Sequence, residues 1–374
     1  MRKIVIASDS FKGSLSSSEV ADSVEKGILR AYPDCKVVKL TLADGGEGTA
    51  EALHRVLHGE VVAKTVKDPL GRPVEASYVI LSDRNTAVVE IASASGLTRL
   101  EPHERNPLLT TTYGTGELIM DALKRGCRRI IVGLGGSATN DAGIGLLTAM
   151  GFIFRQSSGR DEVPNGASML RVYEVDSAMV PECVQKAEYL LACDVRSPFM
   201  GRNGAAFMFG PQKGASDDDV LTLNFGLMNI AEAVMQYNGV DVGQIEGAGA
   251  AGGAAGTMAA LLGARVCSGA DLVLGVAGLG RELAGADMVI TGEGRTDVQT
   301  FEGKLPFKVV RMAAGEGIPA LVVCGSADAD MTALGVDILP VTPEGMPLEE
   351  AMKAETASAN IADAVYKYLS GRRL

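Results

Sequence analysis

The segment Ile130 to Gly145, IIVGLGGSATNDAGIG, constrains this chain more than any other stretch. A β-branched apolar run, Ile130 to Val132, feeds directly into Gly133, Gly135 and Gly136. Ser137, Thr139, Asn140 and Asp141 follow, and apolar residues at helical spacing resume with Ile144, Leu146 and Leu147. A strand that ends in glycines and opens a helix gathers backbone N–H groups at a positive dipole end, a phosphate grip that needs no metal cage. Related turns recur: ASDSFKGSLS after the first apolar run, LADGGEGT after the second, and ITGEGRTD from Ile290. A chain that repeatedly closes strands with Gly, Asp, Ser and Lys is expected to be an α/β protein that holds a small anionic ligand.

Composition narrows the class. The 374 residues suffice for two domains, and 47% hydrophobic with 22% charged content can bury a large core. The 46 glycines and the absence of Trp suit tight strand-to-helix turns. A net charge of −11 argues against nucleic acid and anionic membranes as partners. An anionic ligand must then be met by locally placed cations or helix ends. Six cysteines, at 35, 127, 183, 193, 267 and 324, show no CxxC spacing and read as reduced, mostly buried thiols. His54 and His58 are four apart, yet no HExxH-like acid lies between them, so a metal role is disfavoured. With only three histidines in the chain, a histidine-based nucleophile triad is disfavoured too. MRKIVIASDS carries too short an apolar run for a signal peptide. Gly247 to Ala264 is uncharged but rich in Gly and Ala, which reads as a buried helix rather than a membrane span. A cytoplasmic protein, open to homo-oligomerisation, is expected.

The order of elements suggests two domains. Lys3 to Ala7 reads as a strand, and Ser16-x-x-Glu19 is a capping box that opens a helix through about Ala31. Val37 to Leu42 is a second strand and Glu47 to Leu57 a second helix, a βαβα opening whose crossover demands parallel strands. The texture then changes. Val61 to Val66, Ala76 to Leu81 and Ala87 to Ile91 are short strands joined by turns such as Asp68-Pro69-Leu70-Gly71, an antiparallel meander. Helix 115–125, strand 129–132, helix 141–150, strand 189–192 and a long helix from Asp217 to Gln236 follow. From Asp287 the opening texture returns, with strands 288–291, 320–324 and 338–341 and helices 304–315 and 349–369. Two strands from the start and three from the end make one five-stranded parallel sheet, with the middle inserted as an α/β domain carrying a mixed sheet. The expected boundaries are 1–65 with 286–374 for the Rossmann-like or flavodoxin-like domain, and 66–285 for the insertion. Ligands of such sheets bind beyond the carboxyl ends of strands, where Asp9, Asp44 and Gly292 to Arg295 fall.

Chemistry-bearing residues cluster in these turns. No GxxxxGK[ST] exists, which excludes a Walker-type site. Gly247, Gly249 and Gly252 match GxGxxG but lack a clear preceding strand. They read as a closely packed helix start or a second anion-binding turn. Phosphoryl transfer asks for cations on the phosphates, carboxylates for Mg²⁺ and a base near the accepting hydroxyl. The candidates are Lys12 in DSFKGS, Asp44 and Glu47 in ADGGEG, Asn140 and Asp141 in SATND, Asp194 in ACDV, Lys213 in FGPQKGA, and Glu293, Arg295, Asp297 and Lys304 in TGEGRTDVQTFEGK. Asp194 directly follows a buried strand, where an unpaired carboxylate is costly. Lys213 and Lys304 sit among Gly and Pro rather than at helical salt-bridge spacing.

Taken together and in order, DSFKGSLS, ADGGEGT, GLGGSATNDAG, CDV, GAAFMFGPQKGA, GAGAAGG and DMVITGEGRTDVQT with its following GK make this chain resemble the bacterial two-domain glycerate kinase family. The seven blocks span nearly the whole chain. The resemblance implies ATP-dependent, Mg²⁺-dependent phosphorylation of D-glycerate, with 2-phosphoglycerate as the usual product, in a cleft between the two domains. The implied catalytic residues are Asp194, as first candidate for the base, with Asp297, Lys213 and Lys304. Asp9, Ser10, Lys12, Asp44, Glu47 and Arg295 are implied to bind substrate, Asp44 and Glu47 also being the candidate Mg²⁺ ligands. Gly133, Gly135, Gly136, Ser137, Thr139, Asn140, Asp141 and Glu293 are implied to hold ATP. Three positions depart from the family pattern: Ala142 for Gly, Ser197 for Asn and Thr296 for an aliphatic residue. A nicotinamide-dependent hydroxy-acid oxidoreductase and a non-catalytic sugar-acid binding module are the alternative readings.

Overall fold

Ile4, Val5 and Ile6 have no solvent exposure, because the strand they form has neighbours on both edges and layers on both faces. The protein is described by a computed structural model covering residues 1–11, 13–40, 59–157, 163–193, 195–297, 300, 304–327 and 336–371. Its strands are β1 (Lys3–Ile6), β2 (Lys36–Lys39), β3 (Glu60–Lys67), β4 (Pro73–Ile80), β5 (Thr86–Glu90), β6 (Arg129–Gly133), β7 (Ile153–Gln156), β8 (Val172–Asp176), β9 (Glu188–Ala192), β10 (Arg265–Cys267), β11 (Met288–Thr296), β12 (Ala320–Ala327) and β13 (Asp337–Pro340). The described residues divide into two compact units, 1–40 with 270–371, and 59–269.

The first unit is built from both ends of the chain. Its five-stranded sheet has the order β13-β12-β11-β1-β2, and every pairing is parallel. Counted in chain order within the sheet this is the flavodoxin-like 2-1-3-4-5 arrangement, whose switch point lies between β1 and β11. The crossover from β1 to β2 is the helix Ser17–Ala31. Its capping box is complete: Glu19 N–H donates to Ser16 Oγ at 3.3 Å, and Ser16 N–H donates to Glu19 Oε2 at 2.8 Å. Val20, Val24, Gly27, Ile28 and Ala31 recur at helical spacing on its buried face. That face meets the closing helix Ala354–Gly371 so closely that a Cβ on Gly27 would lie 2.6 Å from the Ala362 carbonyl oxygen.

The second unit holds a six-stranded mixed sheet in the order β10-β9-β6-β5-β4-β3. The expected meander is there: β3 with β4 and β4 with β5 are antiparallel, while β5, β6, β9 and β10 run parallel. Ile130, Ile131 and Val132 of β6 have no exposure, as befits a central strand. β7 and β8 form a separate antiparallel ribbon, with the long helix Asp217–Asn238 packed along β8.

Several boundaries differ from the sequence reading. Residues 60–65 pair with β4 along their length and so run with the mixed sheet, whereas 270–285 run with the first unit. β11 extends to Thr296 and β12 to Ala327, because their ladder continues through the glycines to Thr296 opposite Ala327. The helix expected at 141–150 begins only at Ile144, and the closing helix is broken into Leu348–Ala351 and Ala354–Gly371. The helix expected at 47–57 lies outside the described residues.

Candidate active site

Two polar clusters stand at the carboxyl ends of parallel strands, one in each unit. In the second unit β6 delivers the chain to Gly135 and Gly136, which are exposed; a side chain on Gly135 would meet nothing within 4 Å. Gly136 turns the chain with a φ of +71°. Ser137 and Thr139 then drop back into the protein, 6% and 0% exposed. Both serve as acceptors for one group, the Lys213 ammonium, which donates to Ser137 Oγ at 2.9 Å and to the Thr139 carbonyl at 2.7 Å.

Lys213 is the unusual group here. It lies in the short turn Pro211–Lys213, is 3% exposed, and has an uncharged hydroxyl and an uncharged carbonyl as its hydrogen-bond partners. Burial pulls its ammonium down to about 7, and the Asp141 charge acts the other way. A cation held this deep on neutral acceptors is poorly compensated, so a negative ligand arriving there is favoured. Beside it, Thr139 Oγ1 and both amide atoms of Asn140 are buried without a hydrogen-bond partner. Polar atoms left in that state commonly belong to a ligand or an ordered water.

Asp141 takes a different place from the one the sequence suggested. It is fully buried, and its carboxylate accepts from Thr112 N–H and Thr112 Oγ1 at 2.8 Å each, from Gly143 N–H at 3.1 Å and from Gly145 N–H at 3.3 Å. Leu146 N–H donates to Thr112 Oγ1 at 2.8 Å. The N–H groups at this helix start therefore have partners inside the protein, and the exposed backbone of the loop is at Gly135 and Gly136. Gly133 also serves packing: a Cβ there would lie 2.0 Å from the Glu90 carboxylate across the β5–β6 ladder. Ala142, one of the departures from the family pattern, holds a φ of 52° in the left-handed region.

The GxGxxG stretch resolves into packing as well. The segment before it, Val242–Gln244, is a 3₁₀ turn rather than a strand. Gly252 accepts from Ala142 N–H at 3.0 Å, and a Cβ on it would lie 2.2 Å from the Thr139 carbonyl oxygen. These glycines brace the Thr139–Ala142 turn from behind and lack the strand that a dinucleotide fingerprint requires.

In the first unit the cluster gathers at the β1/β11 switch point. Asp9 follows β1, donating its N–H to the Gly292 carbonyl at 3.0 Å, and its Oδ1 accepts from Ser10 N–H at 2.7 Å. Ser10 Oγ is buried and has no partner. On β11, Glu293 is 8% exposed and accepts from Thr300 Oγ1 at 2.6 Å and Thr296 Oγ1 at 3.2 Å. Burial raises its carboxyl, with the two threonines and Lys304 opposing. Lys304 Nζ lies 3.9 Å from Glu293 Oε2 and 3.8 Å from Asp297 Oδ1. Arg295 is exposed on the same strand. Cys324, at the same level of β12, is fully buried and its thiol is pushed up to about 11.

The structure thus brings Ser137, Thr139 and Lys213 into direct contact, and separately Glu293, Asp297 and Lys304. Lys12, Asp44, Glu47 and Asp194 lie outside the described residues. Sequence reasoning missed Thr112, Thr300 and Glu90. The run Thr110-Thr111-Thr112 ahead of the helix Tyr113–Lys124 was the available signal, since three buried hydroxyls need partners. Among the described residues no group of three or more His, Cys, Asp or Glu could hold a metal ion. The Glu293–Asp297 pair does not fit a divalent ion, because Lys304 already stands against both carboxylates and two hydroxyls donate to Glu293. No helix of the described residues is long and apolar enough to cross a membrane.

A flavodoxin-like sheet with a polar switch point, joined in one chain to a mixed-sheet unit that buries a lysine beneath a glycine loop, defines a two-unit α/β protein suited to small anions. The comparisons with known proteins narrow this class. The model of the glycerate kinase family matches residues 4–370, and the chain belongs to that family. It is 40% identical over 377 residues to a glycerate kinase of Bacillus cereus (strain ATCC 10987), covering 98% of this chain and 99% of that protein. It is likewise 40% identical over 369 residues to a glycerate 2-kinase of Escherichia coli K12, covering 96% and 97%. A crystal structure from Salmonella typhimurium LT2, described as a glycerate kinase 2, superposes with a TM-score of 0.83 at 39% identity and full coverage of both chains.

Proposed function

We propose that this chain transfers the γ-phosphoryl group of ATP to D-glycerate, giving 2-phosphoglycerate and ADP. The observation that carries the reading is Lys213: a buried ammonium on uncharged acceptors beneath an exposed glycine loop, in a chain of the glycerate kinase family. The phosphates of ATP run over Gly135, Gly136 and Ser137, and the third N–H of Lys213 meets a phosphate oxygen. Thr139 Oγ1 and the Asn140 amide supply the remaining polar contacts. The glycerate carboxylate and hydroxyls are read by Ser10, Arg295 and Lys304 at the switch point, with Asp9 orienting a hydroxyl. The accepting hydroxyl oxygen attacks the γ-phosphorus, the bond to the bridging oxygen of ADP breaks, and the hydroxyl proton passes to a carboxylate. Asp194 is the first candidate for that base and Asp297 the second. Asp44 and Glu47 are the candidate oxygen ligands for Mg²⁺, which would supply charge neutralisation to the triphosphate. Dependence on ATP, which the cytoplasm supplies, supports a cytoplasmic location.

Incubation with ATP, Mg²⁺ and D-glycerate, followed by ³¹P NMR, is expected to show 2-phosphoglycerate. No phosphoglycerate would overturn the reading, and the 3-isomer would reassign the accepting hydroxyl alone. Lys213→Ala should cost on the order of 10²–10³ in kcat/KM, the range in which loss of a cation on a transferring phosphoryl group falls.

A further inference from the structure

We propose that Thr112 and Asp141 form a positioning pair that seats the Lys213 ammonium and never touches a ligand. The inference rests on the reading that Lys213 meets the nucleotide phosphates. Both residues are buried, and unlike Thr139 Oγ1 and the Asn140 amide their side-chain polar groups already have partners within the protein, which leaves them no bond to offer a ligand. Asp141 carries a full complement of acceptor contacts from Thr112 N–H, Thr112 Oγ1, Gly143 N–H and Gly145 N–H. Thr112 in turn accepts from Leu146 N–H, so its hydroxyl both donates and accepts. These bonds tie the residue before the helix Tyr113–Lys124 to the start of the helix Ile144–Ala149. The segment they pin leads back within two residues to Thr139, whose carbonyl is the closer of the two Lys213 acceptors. Thr110 Oγ1 holds the residue just before Thr139 by donating to the Ala138 carbonyl at 3.0 Å.

The pair also supplies charge. Among the described residues Asp141 is the one whose field is felt at Lys213, and it favours the ammonium against burial. Arg105 lies nearby with its backbone against Gly214, while Asp217 and Asp218 open the next helix exposed to solvent and Asp219 accepts from Ser216 N–H and Oγ. Burial pushes the Asp141 carboxyl up, and the donors on Thr112, Gly143 and Gly145 oppose this by favouring its charged form. Neutralising Asp141 therefore leaves the burial of Lys213 unopposed, and Lys213 loses its proton at lower pH.

The test is the pH profile of kcat/KM for ATP, which reports groups of the free enzyme. The wild type is expected to lose activity on an alkaline limb set by Lys213. In Asp141→Asn the limb should move to lower pH by about one unit, roughly a tenfold change in the proton affinity of Lys213. Thr112→Val, which keeps the backbone bond and loses the hydroxyl, should shift the limb the same way by less, and Thr112→Ser should restore it. A merely structural role would lower the amount of folded enzyme and leave the limb where it is. If Asp141→Asn does not fold, the Val and Ser variants at 112 decide the question. A limb that stays in place in every folded variant, or a wild-type profile without one, overturns the proposal. Lys213→Ala separates the two claims: wild-type activity in that variant sinks the phosphate reading itself, whereas an inactive Lys213→Ala together with an unmoved limb in Asp141→Asn and Thr112→Val sinks only the pair.

Discussion

At the scale of single residues, the protein carries a cost that the proposed chemistry explains. An ordinary lysine holds its proton to about pH 10.4, and Lys213 gives it up near 7. Between those values the unfolded chain binds more protons than the folded one, so stability rises with pH across that window. The burial cost is fully present below about pH 7 and is relieved toward pH 10. Lys213→Met fills similar space without the charge. It should raise the melting temperature at pH 6.5, by a gain on the order of 1–3 kcal/mol, and the gain should shrink as pH approaches 10. Activity should be lost at the same time. Thermal melts of both proteins across pH 6 to 10 check this, and a variant less stable than wild type at pH 6.5 would show that the bonds to Ser137 and Thr139 outweigh the burial cost. The residue identities at this site were legible in the sequence because Lys, Asn and Asp among glycines have few structural uses. Their division of labour was not. Asp141 and Asn140 are neighbours of similar size, yet one accepts from four donors and the other has none, and two of those four come from Thr112, far away in the chain.

At the scale of elements, the glycines of the loop and of the GxGxxG stretch do opposite jobs. Gly135 opens onto empty space, so its value lies in letting a ligand approach the backbone. Gly252 has a φ of +68°, and a Cβ there would press on the Thr139 carbonyl and on Asn140 Cα at 2.5 Å. Those are backbone atoms, which cannot swing aside as a side chain can. Gly252→Ala should therefore cost about 2–4 kcal/mol, from left-handed strain and overpacking together, and should move the acceptor on which Lys213 sits. Gly135→Ala should change stability by less than about 0.5 kcal/mol while raising the KM for ATP. Urea denaturation with paired kinetics distinguishes the two, and equal stability losses would refute the assignment. The strand-to-helix pattern of β5, β6 and β9 was readable from apolar runs bounded by turn residues. The late start of the helix at Ile144 was not, because Asp141, Ala142 and Gly143 carry helix-compatible spacing while tertiary bonds to Thr112 and Gly252 hold them in a turn. The extension of β11 through Gly292 and Gly294 was hidden for a related reason. Glycine is a poor strand former by itself, and the ladder with β12 decides its conformation.

At the scale of the whole molecule, each unit has its own core. Ile4, Ile6, Val24, Ile28, Ile290, Leu321, Val323, Ile361 and Val365 form one; Val89, Leu118, Ile130, Val132, Leu146, Leu191, Phe199, Leu223 and Leu227 belong to the other. The first draws its strands from both ends of the chain and needs both to close its sheet. The second is one continuous segment, 59–269, that contains every pairing of its mixed sheet. A continuous segment with a complete sheet and a core of this extent should fold alone. It also contains Gly135, Ser137, Thr139, Asn140 and Lys213, the residues assigned here to the nucleotide. The segment 59–269 expressed by itself is thus expected to unfold in one cooperative transition. ATP at a hundredfold excess over its Kd should add about 2.7 kcal/mol, which raises the melting temperature by roughly 5–10 °C for a unit of this size. D-glycerate, assigned to the switch point of the other unit, should shift nothing. Lys213→Ala in the same segment should remove the ATP shift while leaving the transition cooperative. A segment that folds but responds to glycerate and not to ATP would reverse the assignment of ligands to units, and one that melts without a transition would show that the inserted core depends on the chain ends that flank it.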